Sequence, residues 1–186
     1  MDEIPGSFAA GDFLFNFVGM AEEIVNKVAQ AQIHQIDLKD FLNQEPIIGI
    51  DLKDRLWNEL VLKEKEFRTW IKEHDWSQYA NKQVALYCSN DAIIPAWAFM
   101  LLTANLKEAK SVLCTDIKGA EESLFFQNMR DWNIGELEDK RVMVKGCSDI
   151  PNPNKAYVEL TKKLMTTVKS LMFGEPCSAV PVYKKR

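Results

Sequence analysis

From residue 83 to the C-terminus, short apolar runs alternate with helix-length segments, and that alternation restricts the chain more than any other feature. Residues 83–88 read as a buried strand, and 111–115, 140–145 and 179–183 read as three more. Between them the pattern predicts a helix over 94–108 with Pro95 in its first turn. A second covers 120–132. A third covers 154–173, capped by Asn154 and stopped by Gly174, with Tyr157, Leu160, Leu164, Val168 and Leu171 as its core stripe. The order β-α-β-α-β-α-β argues for an α/β fold. The expectation is a single three-layer domain whose central sheet is mostly parallel and ends in an antiparallel C-terminal strand.

The N-terminal part is less regular. Residues 1–19 are rich in Phe and Gly without a period and read as an arm or a non-native start. A new beginning is expected at Met20, with one α/β domain over 20–186. Residues 21–31 read as a helix with Ile24, Val28 and Ala31 on one face. Residues 33–38 and 47–50 read as strands around a turn at 40–46, and 52–61 fits helix or strand. A helix over 64–76 places Phe67, Trp70, Ile71 and His74 on one face, so His74 reads as a hydrogen-bonded or stacked imidazole at a core border. No internal repeat or low-complexity linker is expected.

Composition excludes some classes. With 186 residues, 47% of them hydrophobic, the chain can bury a substantial core. Residues 1–82 carry 15 acids and 9 bases, and 83–186 carry 12 acids and 14 bases. Neither half has the basic cluster that nucleic-acid binding requires. The longest uncharged apolar run, 92–104, contains Pro95 and falls short of the roughly 20 residues that span a bilayer. The N-terminus opens on Asp2 and Glu3 and does not read as a signal peptide. A cytoplasmic protein is therefore expected, without a membrane or nucleic-acid partner.

In a reducing compartment the four cysteines are metal ligands, reactive thiols or small core residues. Cys88 and Cys114 end strands, Cys147 follows a strand by two residues, and Cys177 precedes the last strand. Ligand crevices lie at the carboxyl ends of parallel strands. An antiparallel last strand would bring Cys177 to that rim. Cys88, Cys147 and Cys177 are then expected to converge on zinc, with Asp91 among the candidates for the fourth ligand. Cys114, in Val112-Leu113-Cys114, reads as a buried small hydrophobe. Asp91 or Asn90 also lies near a helix N-terminus, which favours a thiolate or a bound anion. No C-x-x-C pair, Gly-rich phosphate loop, H-E-x-x-H or G-x-S-x-G is present.

Three stretches resemble an uncharacterised bacterial family of small cytosolic proteins, a domain of unknown function. They are Tyr87 to Ala98 (YCSNDAIIPAWA), Lys145-Gly146-Cys147, and Ser170 to Pro181 (SLMFGEPCSAVP). The likeness runs from about residue 20 to the end. It implies no activity, but its three motifs hold Cys88, Cys147 and Cys177. Three functions follow as alternatives: a metal-binding, zinc-type protein; a non-catalytic module binding a protein or small molecule, with packed cysteines and a possible homo-oligomer; or a thiol enzyme using Cys88 or Cys147. For the last, His34 and His74 are the only imidazoles, and no base is evident.

Overall fold

The computed structural model describes residues 33–186. The arm at 1–19, the expected start at Met20 and the helix at 21–31 lie outside the described residues. The elements in order are β1 (Ile33–Ile36), β2 (Ile47–Asp51), β3 (Leu56–Trp57), β4 (Val61–Leu62), α1 (Glu64–Glu73), β5 (Gln83–Tyr87), α2 (Ala96–Asn105), β6 (Ser111–Leu113), α3 (Ile117–Asp131), β7 (Arg141–Val144), α4 (Pro153–Leu164), β8 (Ser170–Phe173) and β9 (Val180–Lys184). The fold is α/β with mostly parallel strands, and β9 is antiparallel to β8.

The strands divide between two principal sheets where one was expected. Sheet A has the order β1-β7-β8-β9 and sheet B the order β2-β5-β6, with a separate β3-β4 hairpin. Each sheet has its own core. Ile36, Val142, Val144 and Leu171 pack with α3 and α4, whereas Ile50, Val84 and Leu86 pack with α1 and α2. Helix α3 bridges the two, contacting β2 and the 3-10 turn after β1. His74 lies on the border of the second core, 3.0 Å from the Tyr79 hydroxyl and 4.6 Å from the Trp76 ring.

A short repeat, where none was expected, accompanies the division. Ile36-Asp37-Leu38-Lys39-Asp40-Phe41-Leu42 and Ile50-Asp51-Leu52-Lys53-Asp54-Arg55-Leu56 agree at six of seven positions. Each begins at the end of a strand and makes the same turn. Asp37 and Asp51 accept from the N–H groups of Lys39 and Lys53, both at 3.0 Å. This is the capping reaction of an aspartate at a helix start. Leu38 and Leu52 are fully buried. Each septet starts a unit with the same pairing, an outer strand against a central strand, a helix, then a third parallel strand: β1-β7-α4-β8 and β2-β5-α2-β6.

The expected helix over 154–173 ends at Leu164, and residues 170–173 are β8. The chain leaves the helix in a turn: Thr166 Oγ1 donates to the Lys163 carbonyl and the Thr167 N–H to that of Leu164. Val168 and Leu171 are buried as expected, but from a turn and a strand. The motif at 170–181 is thus a hairpin. Gly174 starts its turn at φ +115°, a conformation open to glycine, and the Ser178 N–H donates to the Glu175 carbonyl at 2.9 Å. Residues 52–61 are a 3-10 turn and the β3-β4 hairpin. Asn58, Glu59 and Leu60 form its three-residue bend, the first two at φ 50° and 62°.

Candidate functional site

The carboxyl rims of the two sheets do not coincide. At rim A, Ser148 to Pro151 face Leu42 to Ile47 across a cleft. That same loop holds the amino edge of sheet B. Gln83 Nε2 donates to Asn43 Oδ1 at 2.7 Å, and Lys110 Nζ to Glu45 Oε1 at 2.7 Å. Rim A therefore adjoins the beginning of β5. Rim B lies past the other end of that strand, five residues and about 17 Å away.

This separates the expected zinc ligands. Cys147 follows β7, and Cys177 sits in the turn after the neighbouring β8, so these two share rim A as the antiparallel last strand required. Cys88 and Asp91 follow β5 at rim B. Among the described residues no three His, Cys, Asp or Glu side chains are grouped to hold a metal ion. The physical reason is the break between the sheets: strand ends that one sheet would align are carried by two. Cys88 and Cys147 are half-buried and pack against the second and first cores respectively. Cys177 is exposed. So is Cys114, against expectation, because β6 ends at Leu113 and the next residue enters the turn into α3.

The loops after the two central strands solve one problem differently. Counting three residues from the equivalent positions Val144 and Leu86 gives the N–H groups of Cys147 and Ser89. The Tyr157 hydroxyl accepts the first at 2.7 Å and donates to the Cys147 carbonyl at 3.1 Å. Asp51 Oδ1 accepts the second at 3.0 Å. Burial pushes the Asp51 carboxyl up, but hydrogen bonds from Ser89 and Lys53 and the Lys53 charge outweigh it, leaving the group below the usual value. At rim A, Lys39 Nζ is 3.1 Å from Asp149 Oδ2. That contact raises the ammonium and lowers the carboxyl, and the nearby Cys147 adds to the effect on Lys39. Lys145 pairs with Asp37 at 3.8 Å.

Rim B differs most in what it exposes. The bend at Asn58-Glu59 holds Trp57, Leu60 and Val61 outward, at 51%, 63% and 53% exposure, and Ile93 in the loop 88–95 is 91% exposed. Asn90 Nδ2 reaches the Glu59 carbonyl at 3.5 Å, so the two segments adjoin. Ile94 packs against the core beneath, and Lys63 Nζ lies 4.3 Å over the Trp57 ring. The positions of the cysteines do not point to these residues. The signal available was Ile93-Ile94, two large apolar residues in a segment whose polar neighbours mark it as a loop.

Fold and rims together define an α/β protein of two similarly ordered sheets whose carboxyl rims stand apart. The chain belongs to a family described as a protein of unknown function, DUF2480, whose model matches residues 22–185. No curated protein and no solved structure matches it. Among the described residues no helix is long and apolar enough to cross a membrane.

Proposed function

We propose that the protein is a non-catalytic interaction module whose contact surface for a protein partner is rim B. The observation that carries this reading is the group Trp57, Leu60, Val61 and Ile93, large apolar side chains held outward on two adjoining segments. Large exposed apolar side chains on adjoining segments favour a contact site. Full burial of one such aliphatic side chain is worth about 1.5–3 kcal/mol, and an aromatic anchor suits the centre of an interface. The bend and the Asp51 hydrogen bonds hold the surface in shape before contact, which lowers the ordering cost of binding. Cys88 serves as packing beneath the loop. A zinc centre on Cys88, Cys147, Cys177 and Asp91 has less support, since it would need both rims to meet.

The test is co-purification from the natural host with wild-type protein and with a Leu60→Ser/Ile93→Ser variant. A partner retained in fixed ratio by the wild type and lost by a variant of unchanged melting temperature supports the reading. Equal retention by both refutes it.

A further inference from the structure

The amino edge of sheet B holds two buried polar atoms without a hydrogen-bond partner among the described residues, Gln83 Oε1 and Ser111 Oγ. Gln83 as a whole is only 5% exposed. Such atoms are uncommon in folded proteins, because an acceptor buried without a donor costs stability. Here the two are neighbours. Gln83 starts β5, Ser111 starts β6, and they are paired in the parallel ladder, so their side chains leave the sheet on one face. Strand alternation sets that face opposite Val84 and Leu86, which pack with α1 and α2. Between it and Leu124, Gln127 and Asn128 of α3 lies a cavity of about 310 Å3, lined by both Gln83 and Ser111. That is the small end of the range for ligand sites. Rim B lies past the other end of β5, so this is a separate place on the molecule.

The neighbours of the Gln83 amide fix its orientation. Nε2 donates to Asn43 Oδ1 at 2.7 Å and to Glu45 Oε2 at 3.4 Å. Both are acceptors, so the amide cannot be reversed, and Oε1 is the atom left to accept. Asn128 commits its amino group to the Phe41 carbonyl at 3.1 Å, so its oxygen is what it can offer a ligand. The cavity therefore calls for donors. Charge narrows the class further. Lys110 and Glu45 stand on the wall as a pair at 2.7 Å. An anion would meet Glu45 and the acceptor oxygens, and a cation would meet the Lys110 ammonium. A neutral molecule meets neither repulsion. Hydroxyl groups both donate and accept, which matches a serine and carboxamides, while Leu124 supplies an apolar side for carbon-bound hydrogens.

We propose that this cavity binds a neutral polyhydroxy compound of monosaccharide size, held by Gln83 and Ser111. Both oxygens are closed to bulk water, so a rotamer change turns each toward the ligand. Binding then supplies the donors that these oxygens lack.

Titration of the isotope-labelled full chain with neutral hexoses, pentoses and cyclic polyols, followed by NMR, tests the proposal. The Gln83 side-chain amide signal should shift and saturate with a dissociation constant of about 1 mM or tighter for at least one compound. Ser111→Ala should weaken that binding about two- to tenfold. It should not lower the melting temperature, since the hydroxyl has no hydrogen bond to lose. Gln83→Met removes the acceptor at similar length and should weaken binding by a similar factor. If that variant does not fold, Ser111→Ala decides alone. Failure of every compound to saturate the Gln83 signal in this range, or undiminished affinity in Ser111→Ala, overturns the proposal. A lower melting temperature in Ser111→Ala also overturns it, because the hydroxyl would then be held by ordered water in the free protein.

Discussion

Asp51 and Asp37 occupy the same place in the two units, but their substitution should have unequal consequences. Asp51→Ala removes the acceptor of two backbone N–H groups, Lys53 and Ser89, each at 3.0 Å. A lost cap costs about 0.5–2 kcal/mol, and a hydrogen bond to a charged acceptor about 1.5–3. The Asp51 side chain is 19% exposed, so water recovers part of this and about 2–3 kcal/mol is expected. Asp37→Ala removes one such bond and a long ion pair at 3.8 Å, because Tyr157 rather than Asp37 serves the equivalent loop. Its cost should be about 1 kcal/mol. For a chain of this size each kcal/mol shifts the melting temperature by roughly 2–4 °C. Scanning calorimetry at pH 7 should therefore show a drop of about 4–12 °C for Asp51→Ala and about 2–4 °C for Asp37→Ala. The carboxyl of Asp51 is held below its unfolded value, so its contribution is present above that value, about 3.9. It is lost as pH falls through the lower, folded one, and the Asp51 effect should shrink below about pH 4. Equal destabilisation by the two substitutions would refute the reasoning.

Two further outcomes follow from the placement of the cysteines. Protein purified without a histidine tag should carry well under one equivalent of zinc by elemental analysis, unchanged in Cys147→Ser; one equivalent lost in that variant would restore the metal centre. Alkylation by N-ethylmaleimide, followed by mass spectrometry, should modify Cys114 and Cys177 before Cys88 and Cys147, since the first pair is exposed and the second packs against the cores. Faster reaction at Cys147 than at Cys114 and Cys177 would contradict this placement.

The elements from residue 83 onward were legible because strand-length apolar runs between helix-length segments speak locally, although α4 starts at Pro153, so Asn154 lies inside the helix and is not its cap. Strands β5, β6, β7 and β9 stand within two residues of expectation. The error at 165–173 has a definite origin. Leu160, Leu164, Val168 and Leu171 keep helical spacing, and the turn that interrupts them is made by Thr166 and Thr167 without glycine or proline. Periodicity does not register where one hydrogen-bonded sheet stops and the next starts, so the expected meeting of Cys88, Cys147 and Cys177 rested on a continuity the fold lacks. The repeated Asp-Leu-Lys-Asp was the clue to two units. Its significance emerges once both copies are seen to end an outer strand and bury the same leucine.

Site-specific photo-crosslinking in the natural host addresses the interaction surface most directly. A photoreactive residue at position 93 of rim B is compared with one at position 158, also exposed, at 69%, but on α4, away from that rim. A discrete adduct with one protein from position 93, absent from position 158, is the expected result. No adduct at 93, or the same adducts from both positions, would contradict the assignment of rim B as the contact surface.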